Sequence, residues 1–193
     1  MDNKENHLKE KLKQALTSTA RVISDDLETL EEFKEGKKDK KVDVINLDDL
    51  NSKNDFIKAR AEYDSFALKK KFSNDEIYKK NLPSNSSCRA LYSIAEKIRY
   101  EKLGSFMLKG IEKNLKQNYQ QIIETKKKDQ IDTKDDVPVN EAFELYMLKK
   151  FHDIELNSSS NKMLSLWEKD FDQVIDKHIQ YLKKNLEFQN EYS

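Results

Sequence analysis

Apolar residues recur along this chain at intervals of three and four with charged residues between them, and the pattern predicts helices over most of its length. Leu8, Leu12, Ala15, Leu16 and Thr19, with Val22 and Ile23 behind them, mark a first helix over 7–24. The runs 27–33 and 42–47 flank a charged, glycine-containing turn at 34–41 and are compatible with a small β-hairpin, the first run reading equally well as helix. Ser52 and Asp55 have the spacing of a capping box, which opens a second helix over 53–78. It would bury Phe56, Ala59, Tyr63, Phe66, Ala67 and the stem of Lys70, and end at the proline and polar cluster of 82–87.

The third predicted helix, 87–127, is the longest and the expected centre of the domain. One stripe runs through Leu91, Ile94, Ala95 and Ile98, another through Leu103, Met107, Ile111, Leu115, Tyr119 and Ile122, and the face changes near Gly104. Gly104 and Gly110 each cost about 1 kcal/mol relative to Ala in a helix interior, and their spacing predicts close approach by neighbours on two sides. A polar loop follows over 126–137, and Pro138 is placed to begin a fourth helix running to 156. After the cap-rich break at 157–161, a fifth helix over 162–188 carries Leu164, Trp167, Phe171, Val174, Ile175, His178, Ile179, Leu182 and Leu186 on its apolar side. The expectation is a mainly α fold, about five helices around a long central one, in a single domain 1–193 with loose ends at 1–6 and 189–193.

Composition narrows the class without naming a chemistry. The 193 residues hold 36 Lys and Arg against 36 Asp and Glu, for no net formal charge. That balance argues against a general nucleic-acid binder. A mean hydropathy of -0.94 and the absence of any apolar run near the ~18 residues a spanning helix needs argue against a membrane protein. The single cysteine, Cys88, cannot form an internal disulfide and suits a reducing, cytoplasmic compartment. Only four of the basic residues are arginine, Arg21, Arg60, Arg89 and Arg99, so each carries more information than any lysine in this Lys- and Asn-rich background.

Motifs for phosphate cradling, zinc binding and nucleophilic catalysis are missing. The stretch 129–140 lacks the central Gly and terminal Glu of a calcium loop. His178 falls on the apolar seam and reads as a core or boundary residue, and His152 neighbours Asp153 and Glu155 without facing them. The lysine runs 69–71 and 126–128 read as solvated faces. Arg99, beside Tyr100 and Glu101 at the expected centre, reads first as one half of a structural Arg–carboxylate pair.

One ordered set of motifs points further. Arg89-Ala90-Leu91-Tyr92, then Arg99-Tyr100-Glu101-Lys102-Leu103-Gly104, then Gly110-Ile111-Glu112-Lys113-Asn114-Leu115 resembles the N-terminal region of the CobT subunit of aerobic cobaltochelatase. The segment around Thr19, Arg21 and Val22, the Arg60/Asp64/Ala67/Leu68 pattern and Leu166-Trp167 agree in the same order, so the resemblance covers most of 15–187. Phe72 and Ser73 stand where family members often have histidines, and Leu108 where a methionine is usual. The metal-adhesion motif of the family's downstream von Willebrand factor A-type domain does not occur in these residues.

The resemblance implies a helical, non-catalytic subunit, or a fragment of one, in ATP-dependent cobalt insertion into the corrin ring. The alternative is a stand-alone helical adaptor that keeps the fold without the chelatase role. Implied partners are a CobS-like AAA+ ATPase subunit and a large CobN-like corrinoid-binding subunit, with homo-oligomerisation open. ATP, Mg2+ and Co2+ would be used by the assembly and not held by this chain. Arg21, Arg60, Asp64, Arg99, Glu101, Gly104, Gly110, Asn114 and Trp167 are the structural or partner-contact candidates, with Arg21, Arg60 and Arg99 expected to anchor buried ion pairs.

Overall fold

A computed structural model of the chain describes residues 3–25, 50, 52–126 and 131–193, and every regular element among them is helical. The hairpin expected at 27–47 lies outside the described residues. The chain forms two compact units, Met1–Lys71 and Phe72–Ser193.

In the first unit, α1 (Asn3–Ser24) buries Leu16, Ala20 and Ile23, one narrow stripe at i, i+4 and i+7, and leaves Leu8 and Val22 exposed. Helix α2 (Lys53–Phe72) starts on the expected capping box. The Ser52 N–H donates to Asp55 Oδ2 at 2.7 Å and the Asp55 N–H to Ser52 Oγ at 3.2 Å, which satisfies two of the donors a helix start leaves over. Its buried residues, Ala59, Ala61, Tyr63, Asp64, Ala67 and Leu68, occupy more than one face, whereas Phe56 is exposed. Lys71 pairs with Asp25, which ends α1 in the left-handed region at φ 56°.

The second predicted helix is too long, because α2 stops at Phe72 and α3 (Asp75–Asn81) begins anew. Asn74 is extended, and its side chain accepts the Glu76 N–H at 2.8 Å and the Ile77 N–H at 3.2 Å. The same device opens α4 (Ser86–Met107), where Asn85 accepts from Ser87 and Cys88. Some of the asparagines that composition ascribes to background are therefore punctuation.

The long third helix is also two helices. Leu108 is extended, at φ -142° and ψ 120°, and serves at once as the end of α4 and the start of α5 (Lys109–Thr125). The face change near Gly104 was the trace of this corner in the sequence. Within the second unit helix α4 is the centre, since α5 and α6 (Val139–His152) both pack on it. Four successive residues, Ile98, Arg99, Tyr100 and Glu101, are all buried, so this part of α4 is enclosed on every side.

Pro138 caps α6 instead of occupying its first turn, and the helix ends at His152, four residues before the expected 156, where Asp153 turns left-handed at φ 53°. Asn157 then accepts the Ser160 N–H at 2.8 Å to start α7 (Ser158–Ser165). The expected fifth helix is interrupted at Leu166-Trp167 and resumes as α8 (Glu168–Phe171), a π-helical segment (Asp172–Asp176) and α9 (Lys177–Lys184). A π turn takes in an extra residue, so the buried positions run Phe171, Ile179 and Leu186 with Ile175 half-buried between. Val174 and His178, expected on the seam, face solvent for that reason. Residues 189–193 are not a loose end: α10 (Gln189–Tyr192) buries Gln189 and Tyr192 and packs on α3.

Candidate functional site

A helix enclosed on all sides should be apolar, yet the buried part of α4 carries Glu96, Arg99, Tyr100, Glu101 and Ser105. Burying a charge is costly unless it is paired and hydrogen-bonded, so these residues must answer to each other and to the elements around them. They do so in two hubs. Arg99 and Glu101 are two residues apart on α4, about 200° around its axis, and head separate networks.

The first hub is centred on Arg99, which is 1% exposed. Its Nε donates to Glu96 Oε1 at 3.2 Å, its Nη1 to the Leu186 carbonyl at 3.0 Å and its Nη2 to the Phe72 carbonyl at 2.6 Å. Glu96 lies one helical turn before it and also accepts from Gln189 Nε2 at 3.0 Å and from Ser193 Oγ at 3.1 Å. Gln189 in turn accepts the Asn74 N–H at 2.7 Å, and the Tyr192 hydroxyl donates to the Ala95 carbonyl at 3.0 Å. The guanidinium fork thus fastens both the segment 72–74 and the segment 186–193 to α4.

The second hub joins α4, α5 and α6. The Tyr119 hydroxyl donates to the Glu101 carboxylate, and both side chains are buried. Burial, and then the charge of Glu101, raise the Tyr119 phenol well above its ordinary value, which keeps it protonated as the donor. The His152 ring lies 6.0 Å from the Tyr119 ring, centroid to centroid. Burial, assisted by the charge of Lys102, lowers His152 to about 4, so the imidazole is neutral at pH 7. Its Nε2 is buried without a hydrogen-bond partner among the described residues.

The remaining candidates scatter. Asp64 is buried in the first unit, while Arg60 on the same helix is exposed and, among the described residues, anchors no buried ion pair, contrary to expectation. Arg21 is half-buried, with its Nε hidden from solvent and without a hydrogen-bond partner among the described residues; of the three arginines expected in buried ion pairs, Arg99 is the one that forms such a pair among them. Gly104 is buried and its carbonyl accepts the Leu108 N–H at 3.0 Å. Gly110 is exposed, with nothing within 4 Å of where a Cβ would sit, so the expected close approach there does not occur. Asn114 is half-buried on α5. Trp167 donates its Nε1–H to the Val137 carbonyl at 3.1 Å, stacks on Phe171 and carries the Lys134 ammonium 4.8 Å above its ring.

Sequence reasoning missed Glu96, Tyr119, His152 and Gln189 as site residues. For Glu96 a signal existed, a carboxylate three residues before the rare arginine. For Gln189, 93 residues from its partner, there was none.

Arg99, Glu96 and Glu101 are each at most 2% exposed and engaged with protein groups, so neither hub presents a reactive side chain to an outside molecule. Among the described residues no three His, Cys, Asp or Glu side chains are grouped to hold a metal ion, and no helix is long and apolar enough to cross a membrane. Fold and site therefore define a mainly α protein whose buried polar side chains hold helices in place. The chain belongs to the family described as cobalamin biosynthesis protein CobT, which it matches over residues 6–193. Membership implies involvement in cobalamin biosynthesis. No solved structure matches the chain.

Proposed function

We propose that this chain is a non-catalytic helical interaction module of the ATP-dependent cobaltochelatase that inserts cobalt into the corrin ring. The observation that carries the reading is the closure of both hubs: Glu96, Arg99 and Glu101 of α4 are buried against protein groups and stabilise a scaffold. A scaffold of this kind contributes to a reaction by presenting surfaces to other subunits. Those subunits are an AAA+ ATPase and a large corrinoid-binding component, which handle ATP with Mg2+ and the Co2+ substrate respectively, in the cytoplasm.

A pull-down with purified subunits tests the reading. The folded chain is expected to retain the AAA+ subunit, the large subunit or both. Clean absence of binding to either, by protein with an intact helical circular dichroism spectrum, would leave the stand-alone adaptor as the better description.

A further inference from the structure

The α4–α5 corner leaves Phe106 68%, Met107 38% and Leu108 48% exposed, three large apolar residues in succession. Scattered single apolar residues on a surface are ordinary, but a contiguous exposed group is a recognised mark of an interaction surface. Gly110 beside it is exposed and has no atom within 4 Å of a Cβ position, so the surface over the start of α5 is open.

Charge around the corner has a definite sign. Lys102 is half-buried with its ammonium 4.9 Å above the Phe106 ring, and Lys109 and Lys113 are exposed on the first turns of α5. Among the described residues Lys116 is paired with Glu112 at 2.9 Å, whereas no ion pair within 4.0 Å engages Lys102, Lys109 or Lys113. Asp153 and Glu112 act on Lys102 from a distance, opposed by Lys116 and Lys183, and burial is the largest effect, lowering its affinity for a proton. Lys109 opens α5, where its charge opposes the macrodipole while Glu112 of the same turn complements it, and Leu108 provides no side-chain cap for the free N–H groups.

We propose that this corner docks an acidic amphipathic segment of a protein partner, with the partner's apolar side chains on Phe106 and Leu108 and its carboxylates on Lys102, Lys109 and Lys113. The proposal rests on the reading of the chain as an interaction module and gives that module a surface and a partner chemistry. Apolar contact would supply most of the affinity, and the lysines orientation and rate of encounter.

The test uses the whole chain and two labelled synthetic helices of about twenty residues, each with Leu on one face and with Glu or Lys on the other. Fluorescence anisotropy should show binding of the Glu helix and not of the Lys helix. Leu108→Glu, and Lys109→Glu with Lys113→Glu, should each weaken binding about tenfold or more. Val174→Ser, at another exposed apolar position, should leave binding unchanged. Circular dichroism and melting temperature confirm that the variants fold. Equal binding of the two helices, or full retention by the corner variants, overturns the proposal.

The pull-down described above is run in parallel with Leu108→Glu. If wild type and variant retain the subunits equally, the corner is not the docking surface although the module reading stands. If wild type retains neither, that reading fails, and the peptide result still decides the chemistry of the corner. Binding to phosphatidylserine vesicles, or a dimer in sedimentation, that the corner substitutions abolish would assign the surface to a membrane or to a second copy and overturn the proposal.

Discussion

Gln189 donates to Glu96 across 93 residues of sequence, at 3.0 Å, and the same carboxylate is held from within its own helix by Arg99. One buried acid thus serves both as the counter-charge of α4 and as the anchor of the chain's last described segment. A carboxylate in this position is stabilised only while its donors stay in place, which makes the hub the most sensitive point of the second unit.

Arg99→Met would leave Glu96 buried without its counter-charge and release the Leu186 and Phe72 carbonyls. A loss of roughly 3–5 kcal/mol is expected in urea denaturation. Arg99→Met together with Glu96→Leu should recover part of it, because the uncompensated charge is then gone. A double variant no more stable than Arg99→Met would mean that the guanidinium acts through its carbonyl contacts alone.

Gln189→Ala removes a donor to Glu96 and an acceptor for the Asn74 N–H. A loss of about 1–3 kcal/mol is expected, with faster hydrogen exchange at Asn74 and along α10. Exchange rates at these amides equal to wild type would show that the segment is held chiefly by Tyr192 and Leu186.

His152 gives the chain a pH dependence whose sign is fixed by burial. Its pKa falls from 6.5 to about 4 on folding, so between those values the unfolded chain binds a proton that the folded chain does not. The stabilisation is therefore full above about pH 6.5, declines as pH falls, and is exhausted near pH 4. Between pH 7 and pH 4.5 the wild type should lose roughly 2.5 kcal/mol more than His152→Gln, measured by denaturant titration at both pH values. Parallel losses would show that folding leaves the proton affinity of His152 unchanged.

The two glycines of the corner should respond oppositely. Gly110→Ala enters open space on the first turn of α5 and should stabilise by about 0.4–1 kcal/mol. Gly104→Leu places a large side chain at a buried position of the central helix and should destabilise by about 1–3 kcal/mol or more. Thermal melts of the two variants check the pair, and a Gly104→Leu melting temperature within a degree or two of wild type would argue against close packing at α4.

Helical periodicity made much of the fold legible: Leu16 and Ile23 of the first helix are buried as their spacing predicts, and the capping box at Ser52 forms, whereas Ala20 and the burial of α4 all round Arg99 were not read from spacing. Helix ends were less legible. The break at Asn74 left no mark in the apolar pattern, and that at Leu108 left only the change of face near Gly104, because a single residue in an extended conformation is enough to end one helix and start another. The π turn at Asp172–Asp176 was hidden for the same reason, since it shifts the seam by one residue and so turns Val174 and His178 outward.

The sequence by itself determined that this is a mainly helical chain with a rare arginine worth explaining on what proves to be the central helix of its second unit, because propensity, spacing and composition act over a few neighbouring residues. Tertiary structure decided which charges are buried together, Arg99 with Glu96 and Glu101 with Tyr119, and that Arg60 and Gly110 face outward. The physical reason is the range of the forces involved. A hydrogen bond or a buried ion pair depends on which groups come within about 3 Å, and for partners 18 or 93 residues apart that is settled only when the helices pack.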